Sequence, residues 1–243
     1  MERGEYERMA AVEERAWWFV GLHRNLIAAW RRAVSVSTNS RLLDAGCGTG
    51  GLLAALRREM PQACRLGLEI DRLAAATARE KSQSPVAVGS TMALPVAVAS
   101  LDAVFSADVL CHRGVEPGAA LRSIHSCLRP GGMLILNLPA YPWLLSGHDR
   151  AVDNVRRFGR KEVHGLLEDA GYVRIRARYW NSLLFPLMLI QRLTHRRGGS
   201  DVGLLPAPLE GLFRAIIAFE AGLGDCGLSF PFGGSILATA VKP

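Results

Sequence analysis

A chain of 243 residues with 49% hydrophobic residues buries a sizeable core and suits one α/β domain with insertions. Its net charge of +7 comes from 26 Arg and 3 Lys set against 22 acids, scattered through Ala-rich stretches without a compact polybasic run, which argues against a nucleic-acid partner. Five cysteines (Cys47, Cys64, Cys111, Cys127, Cys226), an odd number without C-x-x-C spacing, speak against a disulfide framework and against a metal site, and point to a cytoplasmic setting.

In chain order, the charged first residues do not read as a secretory signal, and Glu2 to Val34 reads as one helix with acids near its start and arginines near its end. Trp17, Trp18 and Phe19 are consecutive, so they cannot all face one core. The helix either packs on a sheet edge through Trp17, Val20, the Arg24 stem and Ile27, or caps a ligand site. Ser35 to Ser40 make a linker.

Arg41 to Gly51 reads RLLDAGCGTGG. A short buried strand ends here in a tight turn at Gly46, Gly48, Gly50 and Gly51, and a helix begins near Leu52. Cys47 lies inside that turn. The backbone can approach a ligand closely there, and the following helix offers free N–H groups and a positive dipole end. Gly46, Gly48 and Gly51 satisfy the dinucleotide spacing G-x-G-x-x-G. Asp44 and Gly50, however, turn the stretch into D-x-G-x-G-x-G, and an acid at that point opposes a pyrophosphate but accepts from an ammonium group.

Cys64 to Ile70 is the second strand. Its end carries Glu69, 25 residues after Asp44, at about the distance where a doubly wound sheet presents an acid to ribose hydroxyls. Asp71 is the competing acid and reads as a helix N-cap. Pro85 to Val88 is a short third strand, and Leu101 to Ser106 is a fourth that runs into Ala107 to His112. Leu128-Arg129-Pro130-Gly131-Gly132 precedes an apolar fifth strand, Met133 to Leu138.

The glycine turn with Asp44, the LRPGG stretch and the order of strands resemble the class I S-adenosylmethionine (SAM) dependent methyltransferases from Arg41 to Tyr179 and again from Ser235 to Pro243. The resemblance implies a Rossmann-like seven-stranded sheet, mostly parallel with its last strand antiparallel. It divides a single domain into a helical N-terminal cap (1–40), a core (41–179 and 234–243) and a helical lid inserted at 180–233. It implies SAM as cofactor, held by Asp44, Gly46, Cys47, Gly48, Gly50, Glu69, Ile70, Ser90, Thr91, Met92 and Ala107. Phe19 would stand near the sulfonium and Arg24 would reach a carboxylate. Ser90 occupies the position of an aspartate common in the family, and it accepts more weakly from an adenine amine.

Tyr141 to Asp149 followed by an RRF run, together with the double tryptophan, resembles a subgroup that often carries G-H-x-R-R-Y where this chain has Asp153 to Phe158, so no role transfers to the missing histidine and tyrosine. For a proton-bearing acceptor, His148 with Asp149 and, separately, His112 are the candidate bases. Trp18, Tyr141, Trp143, Trp180 and Asn181 are the expected acceptor-binding residues. The expected reaction is methylation of a small hydrophobic molecule, of the natural-product tailoring type.

The apolar segments Leu183 to Arg192 and Leu209 to Leu223 also suit a membrane-facing or dimer-forming element, and hence a lipid, quinone or lipid-linked sugar as acceptor. No stretch is long enough to span a bilayer. An NAD(P)-dependent oxidoreductase and a non-catalytic scaffold of the same fold are the rivals from other classes.

Overall fold

The computed structural model describes residues 3–33, 39–194 and 203–243, with only the backbone described at Arg3, at His148, at 191–194 and at Asp225. Most of the expected Ser35 to Ser40 linker and the His195-Arg196-Arg197 run lie outside the described residues.

The sheet has seven strands: β1 (Arg41–Ala45), β2 (Cys64–Glu69), β3 (Val86–Val88), β4 (Leu101–Ala107), β5 (Leu128–Pro139), β6 (Val173–Trp180) and β7 (Ser235–Val241). Their spatial order is β3-β2-β1-β4-β5-β7-β6, and β7 runs antiparallel to both of its neighbours. The expected fold class is therefore observed. β5 starts earlier than its apolar run, because Leu128 pairs with Leu101 before the ladder resumes at Met133.

Successive side chains of a strand face opposite sides, and the core divides accordingly. Leu43, Val104, Leu134 and Leu136 pack against α5 (Pro117–Cys127) and α7 (Arg160–Asp169) through Leu121, Ile124, Val163 and Leu167. Leu42, Phe105 and Ile135 pack on the other face against Leu26 and Trp30 of α2 (Trp17–Ala33) and Leu52 and Leu56 of α3 (Gly51–Glu59). A smaller cluster joins Leu53 of α3 to Ala75 and Ala78 of α4 (Arg72–Ser82). Asp71 caps α4 as expected, accepting from the Leu73 and Ala74 amides at 2.9 Å each.

The N-terminal segment departs from the single expected helix. It forms α1 (Arg3–Val12) and α2, and the chain turns between them at Glu13 to Ala16. The cause is Glu13, which is 3% exposed. Its carboxylate accepts from Thr49 Oγ1 at 2.6 Å and from Lys81, so the turn is pinned to the glycine loop and to α4 by a buried ion pair.

The insertion is anchored just as firmly. α8 (Phe185–Thr194) and α9 (Ala207–Asp225) follow β6 and bracket a connecting stretch. Glu210 of α9 accepts from the Trp17 amide at 2.8 Å, satisfying a free N–H at the start of α2. Glu220 accepts from the Ser182 and Leu183 amides at 2.8 and 2.9 Å. Where α9 crosses α2, a Cβ on Gly21 would lie 2.7 Å from Ile217 Cγ2, so only glycine permits this approach.

Candidate active site

β1 and β4 are neighbours whose connections leave in opposite directions, and ligands of such sheets lie beyond the carboxyl ends of the strands at that point. A cavity of about 620 Å³ lies there. Its walls come from the glycine turn, from the ends of β2 and β4, from α1 and α2, and from the insertion.

At one end the turn after β1 is built on positive φ: Gly46 at 85°, Gly48 at 53° and Gly50 at 91°. A Cβ on Gly50 would sit 2.7 Å from Ala78 Cα, so the turn can lie flat on α4 only without a side chain. Asp44 ends up 2% exposed at this floor, and among the described residues no donor is hydrogen-bonded to its carboxylate. Burial, helped by the nearby Glu69 and Glu13 charges, pushes its carboxyl up to about 8. A buried acid without a partner is complementary to a cationic ligand group.

Glu69 is fixed in orientation. Gly48 N donates to Oε2 at 2.9 Å, and Ile70 N and Asp71 N donate to Oε1 at 2.9 and 3.0 Å. The Tyr6 hydroxyl of α1 donates to the same Oε1 at 3.4 Å, and burial with the Glu69 charge raises that phenol well above its usual range. Oε2 keeps acceptor capacity toward the cavity. Ile70, 70% exposed, offers an apolar face beside it. Ser90, Thr91 and Met92 complete this wall, with Met92 N donating to Ser90 Oγ at 3.2 Å. Cys47 and Ala107 also line the cavity, and burial raises the Cys47 thiol.

The other end lies past β4, β5 and β6. Asp108 adopts φ 54°, and its two carboxylate oxygens both accept from Asn137 Nδ2, at 2.9 and 3.0 Å. Asn137 is itself held by Trp180, whose Nε1 donates to Oδ1 at 2.7 Å, and the Trp180 ring stacks on Trp18 with centroids 4.8 Å apart. Burial raises the Asp108 carboxyl to about 7, opposed by the Asn137 hydrogen bonds and by the Arg157 charge. His112 lines the same end and burial keeps it neutral by lowering its pKa.

Asp149, 1% exposed, accepts from Arg157 Nε and Nη2 at 3.0 and 2.7 Å and from Ser146 N and Oγ at 2.8 Å each. It holds the Arg157 guanidinium in the cavity wall. The side chain of His148 lies outside the described residues.

Several expected contacts move. Phe19 lines the cavity with Leu22 and His23, but Arg24 is exposed and stands outside, because one step along a helix rotates a side chain by roughly 100° away from that face. His23 faces the cavity in its place, and burial lowers it to about 3, leaving it uncharged. Trp18 and Asn181 line the cavity as expected. Trp180 lies behind Trp18, Tyr141 stacks on Tyr179 at 5.4 Å, and Trp143 is 65% exposed, so these three stand outside the wall. Tyr141 is turned away by its own backbone, at φ 65° on leaving β5.

Sequence reasoning missed Tyr6, Met9, Glu13, His23, Asp108 and Asn137. Only Asp108 carried a signal: it is the first polar residue after a buried strand at the sheet's carboxyl edge.

This strand order, with a glycine turn and a strand-end acid pair at the switch point, is the fold of the class I SAM-dependent methyltransferases. Residues 43–136 match the family profile described as a methyltransferase domain. The malonyl-[acyl-carrier protein] O-methyltransferase of Dechloromonas aromatica is 31% identical over 139 residues, covering 55% of this chain and 48% of the relative, so the chain spans about half the length of that curated protein. A SAM-dependent methyltransferase from Thermotoga maritima superimposes with TM-score 0.63 at 17% identity, over 99% of this chain and 95% of the other. Phosphoethanolamine N-methyltransferase 2 of Haemonchus contortus, solved with SAM, gives 0.61 at 18% identity over 90% of this chain and 52% of its own. The cofactor of the class is SAM, and the residues present fit it: Asp44 is an unpartnered acid suited to its ammonium group, and Glu69 beside Ile70 suits a ribose and its base.

Proposed function

We propose that this chain transfers a methyl group from SAM to a small acceptor that is largely apolar and reacts through a hydroxyl or amine, as in natural-product tailoring. The observation that carries this reading is the two-ended cavity, in which the Asp44 and Glu69 floor opens into a chamber walled by Trp17, Trp18, Leu184, Leu187, Met188 and Phe213. When bound, SAM supplies an electrophilic methyl group. The chain's contribution is position, exclusion of water and removal of a proton, and positioning alone is worth ~7–11 kcal/mol.

The acceptor end favours a neutral or cationic group over a carboxylate. Its two guanidinium groups are both engaged by acids, Arg157 by Asp149 and Arg113 by Asp153 at 3.1 Å. A malonyl-type acid would find no uncommitted cation there among the described residues. Asp108, oriented by Asn137, is the group we assign to take the acceptor's proton, with neutral His112 lining the same end.

The test uses SAM carrying a radiolabelled methyl group with a panel of hydroxylated aromatics, long-chain amines, polyprenyl alcohols and polar carboxylates. Label is expected to move into the organic layer with at least one apolar member. Transfer confined to polar carboxylates would refute the reading.

A further inference from the structure

α9 is built inside out. Its acids Glu210 and Glu220 are buried as anchors for α2 and for the start of the insertion, while Pro208, Leu212, Ala215, Phe219 and Gly222 form a solvent-facing stripe about four turns long. Leu212 and Phe219 are 52% and 63% exposed. Arg214 is the one charged residue on the exposed side of α9 through Gly224. α8 repeats the pattern: Leu187 and Ile190 are 50% and 59% exposed, and Leu183 just before it 42%. Water-facing surfaces of this composition mark an interaction site.

We infer that the outer face of α8 and α9 docks on an anionic lipid surface, and that the acceptor is an amphiphile drawn from that surface into the cavity. This deepens the proposed function and rests on it for the reaction.

Two features select a bilayer over other occupants. The first is continuity: Leu187 is half exposed yet also lines the cavity, as do Leu205 and Phe213 at the start of α9, so the apolar surface runs into the acceptor chamber. A protein seated on that face would cover the way in, whereas a fluid lipid surface supplies the ligand through it.

The second is charge. The chain is +7 overall, and the exposed stripe of α9 carries no acid. Net positive charge draws a chain toward anionic headgroups, where an exposed apolar face can insert. Among the described residues no helix is long and apolar enough to cross a membrane, so the contact is interfacial.

The test is flotation of the full chain with phosphatidylcholine vesicles, with and without a one-third fraction of phosphatidylglycerol, alongside SAM titration and light scattering of the same preparations. The chain is expected to float with the anionic vesicles and to be released by salt. Phe219→Glu and Leu212→Glu are each expected to weaken flotation about tenfold with SAM affinity unchanged. Val98→Glu, a substitution at an apolar residue 73% exposed outside the insertion, is expected to float like the parent.

A SAM-binding chain that stays free of both vesicle types would overturn the inference. So would a dimer in solution that Phe219→Glu splits, since the face would then be a contact between copies. Flotation without SAM binding would leave the surface standing and sink the cofactor site instead.

Discussion

Replacing Asp44 with asparagine is expected to weaken SAM binding about ten- to hundredfold, because a hydrogen bond to a charged group is worth ~1.5–3 kcal/mol. The same residue sets a pH dependence. With its carboxyl raised to about 8 by burial and by Glu69 and Glu13, Asp44 carries a proton at pH 7 in the free protein. An ammonium partner favours the ionised form, so binding expels that proton. Affinity therefore rises with pH up to about 8, by at most about tenfold per unit.

Calorimetry at pH 7 in two buffers of different ionisation enthalpy should show close to one proton released, and none in Asp44→Asn. Equal heats in both buffers for the parent protein would refute the assignment. Stability of the unliganded protein moves the other way. A raised acid binds more protons folded than unfolded, so this contribution is fully present below about 4 and is lost as pH climbs through 8. At the ribose position, Glu69→Ala is expected to cost about tenfold or more in SAM affinity by the same reasoning.

The second large effect concerns turnover. Asp108→Asn is expected to slow methyl transfer by ~10²–10⁴-fold while leaving SAM affinity within a factor of about two. Asparagine tolerates the left-handed backbone that Asp108 adopts at φ 54°, so the fold should survive. With a carboxyl near 7, kcat/KM of the parent should rise with pH through neutrality and then level. The variant should lose that limb. An unchanged pH profile in Asp108→Asn would transfer the proton to another group, with His112 next in line by position.

The floor of the cavity was legible because it is local. A glycine turn, the acid before it and the acid ending the next strand are set by strand length and turn geometry, both written in short stretches of sequence. The walls were not. Glu13 breaks the N-terminal helix without a glycine or proline to announce it, since the cause is a hydrogen bond to Thr49 and an ion pair with Lys81, 36 and 68 residues away. Tyr6 and Met9 reach the site only because of that break.

Three aromatic residues stand off the cavity wall for a related reason. Trp180, Tyr141 and Trp143 were placed by nearness to strand ends, but which way a side chain leaves a strand end depends on backbone angles and on tertiary partners such as Tyr179 and Asn137. Arg24 lies one helical step off the cavity face. In the insertion, apolar content predicted helices correctly, whereas the burial of both glutamates could be seen only once α9 was laid against α2.

A SAM site joined to an apolar acceptor chamber is tested most directly by calorimetric titration of the full chain with SAM and S-adenosylhomocysteine, with NAD as the control. Saturable binding of both adenosyl ligands in the micromolar range, and none of NAD, is the predicted result. A folded protein that binds neither adenosyl ligand, or that binds NAD instead, would contradict it.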